Sequence, residues 1–147
     1  MGFEIKNDTV KSRFFIRKEV TKEAFNILKR KMLSLDEVNS WITISEVKAA
    51  SNLIELLTAL RWIPKINSDG NIISITHDGF KVAEEEIVFK TIAPYVQEHS
   101  FIQYIREGYS ADLKVKFNFD GVDASVTTWS KQYNEQLNED VFIAIEE

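Results

Sequence analysis

The sequence predicts an α+β fold: a single domain over residues 1–147, with an antiparallel sheet of about five or six strands and about three helices packed on one face. Three observations carry this expectation. Apolar and polar residues alternate from Leu113 to Thr128 on either side of Asp120-Gly121, which is a hairpin pattern. Apolar residues recur at helical spacing around Ala24–Met32 and Leu53–Leu60. A chain of 147 residues with 44% apolar content is also long enough to bury a sizeable core, and it contains only two prolines and five glycines.

Phe3 and Ile5 suit a short opening strand. Arg13-Phe14-Phe15-Ile16-Arg17 reads as a better one, with Phe14 and Ile16 sharing a face. Thr21 is placed as the N-cap of a first helix, with Val20 and Phe25 forming a hydrophobic staple and Ala24, Phe25, Leu28 and Met32 forming its stripe. Ser34 to Glu37 repeats a capping-box spacing at a turn. A second helix is expected from Ser45 or Ser51 to Arg61, burying Leu53, Ile54, Leu56, Leu57 and Leu60. Trp62–Ile66 and Asn71–Ile75 flank Asn67-Ser68-Asp69-Gly70 as a hairpin, where Pro64 fits an edge because it has no N–H to donate.

Glu84-Glu85-Glu86 opens a third helix with its carboxylates solvated at the positive end of the dipole. Val88, Phe89, Ile92, Ala93 and Val96 are its buried face, and Pro94 kinks or ends it. A strand from Phe101 to Ile105 precedes the turn region Arg106-Glu107-Gly108. In the last hairpin a two-residue Asp120-Gly121 loop pairs Phe119 with Val122, Phe117 with Ala124 and Val115 with Val126. A polar stretch from Ser130 to Asp140 leads to the tail Val141-Phe142-Ile143-Ala144-Ile145. This tail is apolar at successive positions and is expected to be buried, either as a further strand of its own sheet or against another copy.

Charge is unevenly distributed. The first 35 residues hold nine Lys or Arg against four acids, and the rest hold nine against nineteen, for a net charge of −5. Such asymmetry speaks about partners and not about fold. The absence of cysteine excludes disulfides and thiolate chemistry. With no apolar run of membrane-spanning length and no N-terminal charged-then-apolar signal, a cytoplasmic protein with no membrane partner is expected.

The usual catalytic patterns are missing: there is no glycine-rich phosphate loop, no serine elbow and no histidine pair at helical spacing. His77 and His99 are the only histidines, and His77-Asp78-Gly79 fits a turn. The Glu84–Glu86 triplet diverges by ~100° per residue and so does not converge on an ion. No catalytic residue, metal or cofactor is therefore assigned. Trp62 is expected in the core, whereas Trp129 falls on the polar face of the last hairpin. It either packs under the tail or anchors an interface.

Several stretches in order, among them Met1-Gly2-Phe3, Phe14-Phe15-Ile16, Ser40-Trp41, Leu56 to Trp62, Asp69-Gly70-Asn71-Ile72 and Phe89-Lys90-Thr91-Ile92-Ala93-Pro94-Tyr95-Val96 with Ser100-Phe101-Ile102, resemble one family. It is a family of small, acidic, functionally uncharacterised proteins encoded by bacteria and bacteriophages, and the resemblance covers roughly residues 1–122. Its members usually carry a Gly-Glu-Asp-Gly turn and a tryptophan-rich strand, where this chain reads Arg106-Glu107-Gly108-Tyr109-Ser110 and Lys114-Val115-Lys116-Phe117. The resemblance implies a mobile-element setting and brings no catalytic residues.

These observations lead to the expectation of a non-enzymatic protein-binding module, an inhibitor or immunity factor against a bacterial toxin or host-defence protein with a basic surface. Its contact residues would be Glu84, Glu85, Glu86, Glu107, Asp112, Asp120, Asp123 and Trp129. The alternatives are a nucleic-acid accessory factor using Arg13, Arg17, Lys18, Lys22, Lys29, Arg30 and Lys31, or a protein that sequesters a small molecule. Either a monomer or a homodimer fits.

Overall fold

The computed structural model describes residues 3–79, 81 and 83–145. Along the chain lie β1 (Ile5–Arg13), α1 (Thr21–Ser34), α2 (Ile44–Ala49), α3 (Leu53–Ala59), β2 (Trp62–Ile66), β3 (Ile72–His77), α4 (Glu85–Ile92), β4 (Phe101–Arg106), β5 (Leu113–Phe119), β6 (Ala124–Asn134) and β7 (Glu139–Ala144). The main sheet is antiparallel in the order β1-β4-β5-β6-β7, and β2 and β3 form a separate hairpin. This is the expected α+β class, with the sheet divided in two and the helices numbering four among the described residues. Among the described residues no helix is long and apolar enough to cross a membrane.

Alternation along the strands sends Ile102, Tyr104, Val115, Phe117 and Phe119 to one face of the main sheet, where α4 covers them. Phe89 of α4 is the hub. Its ring centroid lies 5.1 Å from Trp62, 5.1 Å from Phe117 and 6.1 Å from Phe14, all at steep edge-to-face angles. Each such pair adds roughly 0.5–1.5 kcal/mol beyond the area buried. Ala24, Leu28 and Met32 of α1 close the core from the other side of α4, as their spacing predicts.

Several expectations are corrected. The first strand ends at Arg13, and the chain leaves the sheet there, with Phe14 and Ile16 entering the core and Phe15 half-buried between them. Ile16 exchanges two backbone hydrogen bonds with Ile72, both 3.0 Å, so this segment ties the hairpin to the main sheet. Val20, not Thr21, takes the N-cap position of α1, and the Thr21 hydroxyl donates backwards to the Lys18 carbonyl at 2.7 Å. The second helix is two helices. Asn52 caps α3 by accepting from the Glu55 N–H at 2.9 Å, while the Glu55 carboxylate reaches back to the Ser51 N–H at 3.0 Å. Ile54 then faces outwards, 37% exposed.

The final hairpin is shifted from the expected pairing. Phe119 faces Ala124, Phe117 faces Val126 and Val115 faces Thr128, so the loop is Asp120–Asp123 and Val122 is 64% exposed. Asp120 explains the longer loop, since its Oδ1 accepts from the Val122 and Asp123 N–H groups at 2.9 and 2.7 Å. A shift of two residues preserves side-chain parity, so the face assignment survives the error. The stretch from Ser130 is strand as well, continuing β6 to Asn134. The tail docks at home, with β7 antiparallel to β6, but it is not buried: Ile143 and Ile145 are each 47% exposed.

Candidate binding surface

The second face of the main sheet is open. The register places on it Lys11 and Arg13 from β1, Phe101, Gln103 and Ile105 from β4, Lys114 and Lys116 from β5, Thr127 and Trp129 from β6, and Phe142 from β7. The helices and the β2–β3 hairpin gather on the other face around the Phe89 core, so among the described residues no element packs across this one.

Lys114 and Trp129 are directly opposed in the β5–β6 pair. The Lys114 ammonium sits 4.4 Å from the Trp129 ring centroid and 5.2 Å from that of Phe142. On the neighbouring strands the Lys116 ammonium sits 4.9 Å from the Phe101 ring. Each contact is worth roughly 0.5–1 kcal/mol at an exposed site, and together they let rings remain on a solvated face.

Two cations of this face are neutralised: Lys6 by Asp112 at 2.8 Å and Lys131 by Asp140 at 3.8 Å. Lys11, Arg13, Lys114 and Lys116 make no ion pair among the described residues. A chain of net charge −5 thus carries one face with four uncompensated cations set among three aromatic rings.

Several of the acidic residues proposed as a contact set are engaged within the chain. Glu84 accepts from the Asn39 N–H at 3.0 Å, and Glu86 pairs with Lys90 at 2.9 Å. Glu85 is not solvated as expected. It is 4% exposed, and its carboxyl oxygens accept from the Ala83 N–H at 2.9 and 3.1 Å and from the Trp62 indole N–H at 3.4 Å. Burial pushes this carboxyl up to about 7, against the pull of those hydrogen bonds. Asp120 is occupied in its own turn, and backbone N–H donors hold its carboxyl below the ordinary value. Glu107 and Asp112 lie before β5 and Asp120 and Asp123 after it, about 23 Å apart along a strand of that length.

The basic N-terminal set divides too. Arg13 belongs to the open sheet face, whereas Lys22, Lys29, Arg30 and Lys31 belong to α1, which packs on the other helices. Lys29 is structural: its ammonium donates to the Lys48 and Ala50 carbonyls at 2.8 and 2.7 Å, capping the end of α2. Lys18 lies across Gly70 and Arg17 is exposed. Trp129 is the one member of either set at the centre of a shared surface. Its neighbours Lys114 and Lys116 were visible in sequence only as the polar half of an alternating strand. Phe101 and Phe142 had no local signal, because β4 and β7 bring them there through non-local pairing.

His77 is buried at 2% exposure beside Trp62, with ring centroids 4.8 Å apart. Its Nδ1 accepts from the Gly79 N–H at 3.1 Å, leaving Nε2 without a partner among the described residues. Burial pushes this imidazole down to about 4. Among the described residues no three His, Asp or Glu side chains gather as a metal site. No family model, curated protein or solved structure matches this chain.

Proposed function

We propose that the chain is a non-enzymatic binding module whose open sheet face holds single-stranded nucleic acid. The observation that carries this reading is the interleaving of four uncompensated cations with Phe101, Trp129 and Phe142 on an otherwise acidic molecule. Unpaired bases stack on aromatic rings and the strand's phosphates meet lysines, a combination that tolerates any base sequence. Phe101 and Trp129 lie about 13 Å apart along the strands and about 10 Å apart across them, so one extended strand running diagonally spans both. A duplex keeps its base faces stacked inside and cannot use the rings.

Energetics favour the exchange. A base stacked on an aromatic ring gains about 1–3 kcal/mol. The ammonium it displaces gives up roughly 0.5–1 kcal/mol and moves to a phosphate. A protein partner with a basic surface receives less support, because Glu84, Asp112 and Asp120 are held in internal contacts and Glu85 is withdrawn from the outer surface.

Fluorescence anisotropy with a labelled single-stranded oligonucleotide tests the proposal. Four phosphate contacts give a log–log salt slope near −3, from about −0.7 per neutralised phosphate. Trp129→Ala should weaken binding roughly tenfold, and Lys114→Glu with Lys116→Glu should flatten the salt slope. No binding at low salt, or binding indifferent to both changes, would refute it.

A further inference from the structure

On the covered side of the sheet, where α4 begins, a cleft of about 260 Å³ opens between that helix and strands β4 to β6. It exists because α4 is short and the strand beneath it presents Val126 and Thr128 instead of larger side chains. Its lining combines an apolar floor, Phe117 and Val126, with five polar groups, Glu85, Glu86, Tyr104, Arg106 and Thr128, of which Glu86 is already paired with Lys90 at 2.9 Å.

Tyr104 is the informative member. It is 2% exposed, yet its hydroxyl makes no hydrogen bond with any described residue. The ring is packed in the core, whereas the hydroxyl oxygen is not itself a buried unpartnered atom, so it opens to the cleft and is free to bond a ligand there. Arg106 is half-buried, and among the described residues its side chain makes one hydrogen bond, from Nη1 to the Glu107 carbonyl at 3.0 Å, a contact with the Phe3 ring at 5.9 Å and no ion pair. Its remaining N–H donors form a planar fork suited to a carboxylate. Glu85 supplies the opposite polarity across the same cleft.

We propose that this cleft binds a small zwitterion, a free amino acid with an apolar side chain. The ligand carboxylate pairs with Arg106 and takes a hydrogen bond from the Tyr104 hydroxyl. Its ammonium is held by the Glu85 carboxylate, and its side chain lies on Phe117 and Val126. Neither residue type alone would select such a ligand. An Arg beside a Glu in a cleft of this size distinguishes a zwitterion from a simple anion or cation, each of which leaves one charge unmatched. This site is on the opposite face from the nucleic-acid surface, so each proposal can fail without the other.

The test is thermal-shift and calorimetric titration of the intact chain with the common free L-amino acids at roughly 10 mM, followed by the amide and N-acetyl derivatives of the best one. Expected are saturable binding by an apolar amino acid and its loss in both derivatives. A roughly tenfold weakening is expected in Tyr104→Phe, which keeps the core ring, and in Arg106→Gln. No stabilisation by any amino acid, equal binding of the derivatives, or undiminished binding by Tyr104→Phe would overturn the proposal.

Discussion

Glu85 and His77 make opposed contributions to stability, and replacing Glu85 by Gln separates them. The Glu85 carboxyl is raised from an ordinary value of 4.5 to about 7, chiefly by burial, with the Glu84 charge adding to the rise. The folded state therefore binds this proton more tightly than the unfolded chain. Its contribution to stability is greatest below pH 4.5 and is lost as pH rises to about 7. At about 1.36 kcal/mol per unit, that loss is of order 3 kcal/mol. His77 runs the other way, lowered by burial from 6.5 to about 4, with Asp78 opposing and Arg61 adding. It remains neutral in the fold, so its contribution is complete above pH 6.5 and is lost on acidification towards 4, again by about 3 kcal/mol. The two slopes cancel where they overlap. In Glu85→Gln only the histidine slope remains, so the variant should lose stability on acidification where the parent stays nearly level. A Gln oxygen in place of Oε2 can still accept from the Trp62 indole N–H and the Ala83 N–H, but its NH2 group then replaces Oε1, 2.9 Å from the Ala83 N–H, and sets donor against donor. This adds a pH-independent loss of about 1 kcal/mol. Urea titrations followed by tryptophan fluorescence at pH steps from about 4 to about 8 give the difference between the two proteins. It should shift by about 3 kcal/mol in favour of the variant as pH rises from 4.5 to 7. A difference that does not change with pH would refute the reasoning.

Phe117→Ala should cost roughly 3–5 kcal/mol, because the ring is 2% exposed and packs 5.1 Å from Phe89. Lys116→Ala, on the opposite face, should cost no more than its contact with Phe101, about 0.5–1 kcal/mol, and urea denaturation compares the two. Deleting residues 141–147 removes most of β7, which pairs with β6 of the same chain, so the melting temperature should fall equally at every protein concentration. A loss that depends on concentration in a dilution series would mean that the tail exchanges between copies. Gly108→Ala would place a Cβ 2.2 Å from the Ala111 carbonyl oxygen, so the β4–β5 connection must reopen at about 1–3 kcal/mol, measurable as a drop in melting temperature.

Local patterns determined most elements, because a helix stripe or an alternating strand declares itself within a dozen residues. The stripe Ala24, Leu28 and Met32 is buried as its spacing requires, Trp62 lies in the core, and Pro94 ends α4 in a short 3₁₀ turn. Even the misplaced register of the last hairpin kept Phe117 and Val115 inside, since parity depends on the strand and not on its partner. Where an element stops was less legible. Phe14 and Ile16 alternate as a strand would, but no local rule says that β1 loses its partner at Arg13 and that the chain turns into the core. The site was almost wholly a tertiary decision. Glu84-Glu85-Glu86 is one uniform triplet in sequence, yet packing buries the middle residue against Trp62 and leaves Glu86 to pair with Lys90. The open face likewise exists only because β4 and β7 flank β5 and β6, setting Phe101 and Phe142 beside lysines far from them along the chain. Side-chain direction is a property of two or three neighbouring residues, whereas desolvation and proximity depend on strand order and helix placement, which no window of sequence contains.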